Sequence, residues 1–203
     1  LYTLRVLDPA CGSGNFLYVS LALLKSLEKE VIAEAAIWKI ELKHRVHPSQ
    51  LYGIEVNGYA HELASIVIWI GYLQWKRQNA IPLTDETPIL QPLDQIEGKD
   101  AIVDRRKPSK PVEATWPEVD VIVGNPPFLG GKLLRTRLGN EYVEAMFAVW
   151  EGRVEKQADL CCYWFEKARA AIEAGEAKRA GLLATQAIRG GANRKVLERI
   201  KES

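Results

Sequence analysis

The chain has 203 residues, of which 47% are hydrophobic and 26% charged, and its formal net charge is +1. That is the make-up of an ordinary globular protein, and its electrostatics give no sign of a polyanion partner beyond what local patches could supply. Three cysteines (Cys11, Cys161, Cys162) make no even disulfide framework, three scattered histidines lack metal-ligand spacing, and the apolar run Ile66 to Leu73 is too short for a bilayer. We expect no metal, no membrane span and a reducing, cytoplasmic setting.

Thr3 to Leu7 reads as a short buried strand, and Asp8 to Asn15 as a glycine-bearing turn. Phe16, Ser20, Leu23, Leu24, Leu27 and Val31 then recur at helical spacing, predicting a long first helix that reaches about Lys43 with a break. Leu51 to Glu55 is a second strand, and Tyr59 to Arg77 a second helix with Leu63, Val67, Ile70 and Gln74 on one line. Residues 81 to 117 carry six of the ten prolines and read mostly as loop, with room for a third strand near Ile89 to Ile96. Val119 to Val123 is a fourth strand and Leu129 to Gly139 a basic loop. Ala158 to Ala174 is a helix with Cys161 and Cys162 as packing residues inside it, Ala180 to Thr185 a fifth strand, and Asn193 to Ile200 a last helix. Alternating strands and helices imply an α/β, Rossmann-like, doubly wound sheet that is mainly parallel. The whole of 1–203 reads as one partial catalytic domain.

Two segments carry chemistry. Asp8-Pro-Ala-Cys-Gly12-Ser-Gly14-Asn15-Phe16 lies between a strand and a helix, where glycines let a ligand approach the backbone. One G-x-G after a strand is weak by itself. The leading Asp8 would repel a pyrophosphate and suits a ligand bearing an ammonium or sulfonium, while Glu55, ending the second strand, is placed to accept from ribose hydroxyls; the alternative for Glu55 is a solvated strand end. In the second segment, Val121-Ile-Val-Gly-Asn125-Pro-Pro-Phe128, an apolar strand stops at an amide, two prolines that fix φ, and an aromatic ring. That set can hold a flat amine, although a strand followed by a proline turn explains Asn-Pro-Pro alone.

These residues resemble the S-adenosylmethionine-dependent amino-methyltransferases of DNA. Asp8 to Phe16 resembles their first motif, Asn125-Pro126-Pro127-Phe128 their catalytic motif, Gly53-Ile-Glu55 their ribose-binding segment and Lys99-Asp100-Ala101-Ile102 the turn that contacts the cofactor's adenine. The motif order is similar to the gamma type. Ala158-Asp-Leu-Cys-Cys-Tyr-Trp-Phe-Glu-Lys-Ala168 and Ile188-Arg-Gly-Gly-Ala-Asn-Arg194 look closest to large bacterial restriction-modification proteins that fuse methyltransferase and endonuclease.

The resemblance implies S-adenosylmethionine as cofactor, held by Asp8, Ala10, Gly12, Gly14, Asn15, Phe16, Glu55, Asp100 and Ala101. It implies strand order 3-2-1-4-5, with donor and acceptor at the carboxyl ends of strands 1 and 4, and double-stranded DNA as partner. The reaction would be adenine-N6 methylation of a flipped base. Asn125 Oδ1 and the Pro126 carbonyl would each accept an N6 hydrogen, with Phe128 stacking. Lys132, Arg135, Arg137, Arg189 and Arg194 are candidate phosphate contacts, against a plain solvated loop. Strands 6 and 7, a target-recognition domain and an attached endonuclease are expected outside 1–203, so the chain alone is expected to be inactive. RNA guanine-N2, protein glutamine and DNA cytosine-N4 methylation, or a non-catalytic cofactor-fold piece, are the alternatives.

Overall fold

The computed structural model describes residues 1–81, 93–107 and 110–202. The chain folds as two compact units, Leu1–Gly98 and Lys99–Ser203.

In the first unit, β1 (Val6–Asp8) is followed by α1 (Asn15–Ile37), β2 (Leu51–Ile54), α2 (Gly58–Gln78) and β3 (Ile96–Glu97). The strands run parallel in the order β3-β2-β1, with Val6 opposite Leu51, Asp8 opposite Gly53 and Gly53 opposite Ile96. Parallel strands are covered on both faces and read as apolar runs, so Val6-Leu-Asp8 is buried along its length. The third strand is confined to the end of its expected span; residues 89–92 lie outside the described residues.

The first helix stops at Ile37, six residues short of expectation. Lys39 takes a left-handed φ of 58°, and Ile40 N–H donates to Ala35 O across the end, the αL termination that glycine usually supplies. Ala80, with φ 53°, ends α2 in the same way, and Ile81 N–H donates to Lys76 O. Asn57 Oδ1 caps the start of α2 by accepting from Ala60 N–H at 3.0 Å.

The buried faces also differ from the expected lines. On α1 they are Leu17, Leu21, Leu24, Lys25 and Glu28, whereas Leu23 is 66% exposed. On α2 they are Ala64, Ile68, Trp69, Tyr72 and Lys76. Lys25 Nζ donates to Glu28 Oε2 at 2.6 Å and to Val46 O at 3.2 Å, and sits 4.2 Å from the Trp75 ring centroid. Glu28 in turn accepts from the main-chain amides of Arg45 and Val46 and lies 3.0 Å from His44 Nδ1. The pair therefore pins the segment between α1 and β2 against both helices.

In the second unit, β4 (Val103–Asp104) and β5 (Val112–Glu113) form an antiparallel ladder inside the stretch expected to be mostly loop. β6 (Val121–Gly124) pairs parallel with β7 (Arg179–Leu182), Val121 opposite Arg179. These are the two strands expected as fourth and fifth, and the ladder accounts for the difference in numbering. The expected basic loop is instead a 3-10 turn, Gly131–Leu133, running into α3 (Leu134–Leu138), and α4 (Asn140–Val149) follows. Helix α5 (Cys161–Glu173) begins at Cys161, so the cysteine pair opens the helix rather than lying inside it; both are buried and free. After β7 comes α6 (Gly191–Glu202). Glu166, fully buried on α5, accepts from Arg153 and Arg169 and forms an ion pair with Arg199 on α6.

Removing one member of a buried ion pair strands the other. Lys25→Ala should lower unfolding free energy by about 3–5 kcal/mol in urea titrations; a loss under about 1 kcal/mol would show that the pair is dispensable. Burial alone would raise the Glu28 carboxyl, but Lys25, the Val46 and Arg45 amides and His44 hold it below its usual value. Its contribution should therefore be present at neutral pH and fade as acid approaches that lowered pKa.

Candidate functional site

In the first unit the glycine turn is built from strand ends. Asp8 closes β1 rather than opening the turn, is 1% exposed, and accepts from Ala10 N–H at 3.0 Å. Burial pushes its carboxyl up to about 7, with the Ala10 amide opposing and the Glu55 charge adding to the rise. Cys11 N–H donates to Ile54 O, and Gly12 N–H donates to Glu55 Oε2 at 2.8 Å, so the turn after β1 is tied to the end of β2. Glu55 Oε1 accepts from Asn57 N–H at 2.7 Å.

Gly12 and Gly14 have φ of 53° and 87°, where a side chain is strained, and a Cβ on Gly14 would press on the Ala64 backbone. Cys11 fills the space that a side chain at Gly53 would need. Burial and the charges of Asp8 and Glu55 push its thiol up to about 12, so it stays protonated and packs rather than reacts. Asn15 and Phe16 open α1 and are exposed.

A carboxylate offers about four lone-pair positions. Two on Glu55 serve the chain's own amides, which leaves two for hydroxyls. Asp8, buried with a destabilised charge, is suited to a cationic partner. The first unit thus has the donor set for a ligand with a ribose and a positive centre.

In the second unit, Asp100 Oδ1 accepts from Ile102 N–H at 2.7 Å and Val103 N–H at 3.0 Å, shaping the turn before β4. Two tryptophans with no assigned task in the sequence hold the same turn: Trp116 Nε1 donates to Ala101 O at 2.9 Å and Trp150 Nε1 to Ile102 O at 3.3 Å. No sequence signal marks these bonds, since the partners are main-chain carbonyls far along the chain.

Asn125, Pro126, Pro127 and Phe128 leave the end of β6. Asn125 is exposed, and among the described residues its side-chain amide makes no hydrogen bond. Pro126 is buried, Pro127 exposed, and Phe128 40% exposed. An uncommitted amide beside an exposed ring is what binding a planar amine requires.

Among the basic candidates, Lys132 lies in the 3-10 turn, Arg135 and Arg137 on α3, Arg189 in a second 3-10 turn, and Arg194 on α6; all are exposed. Arg135 pairs with Glu144 at 2.6 Å and Arg194 with Glu198 at 2.8 Å. Exposed pairs are worth about 0–1 kcal/mol and would yield readily to a phosphate. Among the described residues no cluster of three or more His, Cys, Asp or Glu could hold a metal, and no helix is long and apolar enough to cross a membrane.

The family described as "MmeI, DNA-methyltransferase domain" matches residues 1–200. The chain belongs to this family. DNA methyltransferase A of Bacillus subtilis (strain 168) is 29% identical over 169 residues, 80% of this chain and 18% of that protein. A putative type II restriction enzyme and methyltransferase of Methanocaldococcus jannaschii is 32% identical over 75 residues, 35% of this chain and 6% of its own length. Among solved structures, the Type IIL restriction-modification enzyme MmeI in complex with DNA matches over 99% of this chain and 27% of its own, with TM-score 0.65 and 21% identity. The ATP-dependent Type ISP enzyme LlaBIII bound to DNA covers 97% of this chain and 14% of its own, with TM-score 0.58 and 16% identity. These likenesses establish an α/β, Rossmann-like methyltransferase fold. The chain spans less than a third of the length of each of these relatives.

Asp8 is a carboxyl whose environment opposes its charge. Its folded-state pKa, about 7, lies above the ordinary 3.8, so it stabilises the fold when protonated. That contribution is full below about pH 4 and lost as pH rises through 7. Asp8→Asn keeps an acceptor for Ala10 and should be about 1–4 kcal/mol more stable than wild type at pH 8. The gap should close toward pH 4 in urea titrations; a gap independent of pH would contradict the assignment.

Proposed function

We propose that this chain is the methyl-transferring module of a restriction-modification protein, acting on adenine N6 of a base flipped out of double-stranded DNA. The observation that carries the reading is the uncommitted, exposed Asn125 amide in Asn-Pro-Pro-Phe, within a chain of the MmeI DNA-methyltransferase domain family. The cofactor in this reading is S-adenosylmethionine, which supplies an electrophilic methyl group on a positively charged sulfur. Gly12, beside which a Cβ would meet nothing, leaves room for it at the main chain, while Gly14 closes against Ala64 to hold the turn, with Ala10, Asn15 and Phe16 completing it. Asp8 offsets its positive charge and Glu55 accepts from its ribose hydroxyls. Ala101 and Asp100, whose carboxylate also bonds the Tyr142 hydroxyl, meet its adenine. Free, buried thiols at Cys11, Cys161 and Cys162 suit a cytoplasmic setting.

Adenine N6 is a poor nucleophile because its lone pair is delocalised into the ring. Asn125 Oδ1 and the Pro126 carbonyl each accept one N6 hydrogen, which aims the lone pair at the methyl carbon. Each such bond is worth about 1 kcal/mol net, so orientation is their main contribution. Flipping the base costs a few kcal/mol, and stacking on the exposed Phe128 ring returns about 1–3 kcal/mol. Lys132, Arg137 and Arg189, with Arg135 and Arg194 once released from their carboxylates, contact phosphates.

The test is transfer from labelled S-adenosylmethionine by the intact protein to duplex DNA, structured RNA and protein in parallel. Label in N6-methyladenine is expected, and label confined to RNA or protein overturns the reading. Asn125→Ala should lower kcat about 100-fold or more with the cofactor KM unchanged; full activity in that variant refutes the acceptor assignment.

A cationic ligand favours ionised Asp8, whose pKa near 7 would fall on binding. Affinity should be full above pH 7 and decline about tenfold per pH unit below it. Calorimetry in buffers of different ionisation enthalpy should register proton release at pH 6; its absence would remove Asp8 from the site.

A further inference from the structure

Two segments singled out in the sequence, Ala158 to Ala168 and Ile188 to Arg194, have no part in the methyl transfer above beyond the phosphate contacts of Arg189 and Arg194. They meet at the loop that leaves Phe128. Leu129 N–H donates to Asp159 Oδ1 at 3.1 Å, and Leu160 N–H donates back to Leu129 O at 3.0 Å, so both polar main-chain groups of Leu129 are held. The same Asp159 oxygen accepts from Cys161 N–H at 3.1 Å, fixing the carboxylate at the start of α5. Asp159 N–H donates to Asn193 Oδ1 at 2.7 Å, and Asn193 Nδ2 donates to Ala187 O at 3.0 Å, which ties this corner to α6 and the turn before it. Two residues past Leu129, Gly131 packs so closely that a Cβ there would collide with the Gln157 main chain.

We propose that Asp159 is a positioning residue for the acceptor loop: its carboxylate, fixed by the Cys161 amide on a main chain that Asn193 holds, keeps Leu129 in place so that Asn125 and Phe128 keep one pose. The inference rests on the reading of Asn125–Phe128 as the amine-binding segment. Asn125 stands at the end of β6 and Phe128 precedes Leu129 directly, so the loop is anchored by the strand at one end and by Asp159 and Leu160 at the other. Without the second anchor the two prolines still stiffen the middle of the loop, but nothing fixes the plane of Phe128. Misplacement by about 1 Å is enough to cost about 100-fold in rate. Asp159 touches neither reactant in this scheme, and its effect passes through Leu129.

The experiment compares Asp159→Ala, Asp159→Asn, Asn193→Ala and Asn125→Ala in the intact protein. It measures methyl-transfer kinetics and hydrogen exchange of the peptide that contains Leu129. Asn at 159 still offers an acceptor oxygen and should stay within about threefold of wild type. Asp159→Ala should lower kcat about 30-fold or more with the cofactor KM within about twofold, and should speed exchange at Leu129 about tenfold or more while the core of α5 stays protected. Asn193→Ala, which leaves Asp159 in place, should show the same signature in weaker form.

Wild-type kcat in Asp159→Ala overturns the proposal, whether or not exchange changes. So does a loss of protection throughout α5 that Asp159→Asn fails to rescue, because that marks Asp159 as a folding residue. If Asn125→Ala methylates normally, the amine-binding reading fails, a result obtained on a different variant and distinguishable from failure of the anchor.

Discussion

The site in the first unit depends on a constraint imposed by parallel pairing. β1 and β2 end side by side, with Asp8 opposite Gly53, so acids placed at their carboxyl ends are neighbours. The chain spends one of them on itself. Glu55 takes the amides of Gly12 and Asn57, which otherwise would need water or another acceptor. In doing so it fixes both the glycine turn and the approach to α2. Among the described residues, the second acid, Asp8, has the Ala10 amide and a repelling neighbour. The same geometry that makes the turn rigid therefore leaves a carboxyl whose charge is poorly satisfied.

A single device recurs at each loop of interest. A carboxylate accepts main-chain amides just past a strand or at a helix start: Asp8 from Ala10, Glu55 from Gly12 and Asn57, Asp100 from Ile102 and Val103, Asp159 from Leu129 and Cys161. Hydrogen bonds to charged acceptors contribute about 1.5–3 kcal/mol each, and they act on backbone, so they set loop shape without dictating which side chains the loop displays. Rigid loops with uncommitted side chains are what positioning chemistry needs. Asn125, exposed after β6 and without a side-chain hydrogen bond among the described residues, is the clearest case.

Much of this was legible in the sequence, and the rest was hidden for physical reasons. Strand ends and turns were readable because glycine, proline and acids punctuate them. The buried side of α1 was not, because that helix has two apolar stripes: one through Leu17, Leu21 and Leu24, and one through Leu23, Leu27 and Val31 that stays exposed in this chain. Periodicity cannot choose between two stripes of equal spacing. The end of α1 at Lys39 was missed because αL caps are expected of glycine, whereas α2, ended by Ala80, stops within a residue of expectation. Helix α3 was missed because glycine, arginine and lysine in Leu129 to Gly139 resemble a flexible loop; α4 follows in a stretch to which no element was assigned. Trp116 and Trp150 were readable as large side chains, but their indole bonds to Ala101 and Ile102 span 15 and 48 residues and leave no local trace.

Burying Asp8 costs the fold stability whenever it is ionised, which makes it a poor choice for a purely structural turn. Ala10 could be satisfied by a neutral acceptor, and Glu55, less deeply buried, already shapes Gly12. A destabilised charge is retained to advantage where a ligand supplies the opposite charge, because the ligand then recovers the desolvation cost that the fold has already met. In the proposed reading, a positive centre seated against the end of β1 is the ligand property that fits this buried acid. A dinucleotide's anionic pyrophosphate at the same turn would add repulsion to a carboxyl whose charge is already disfavoured.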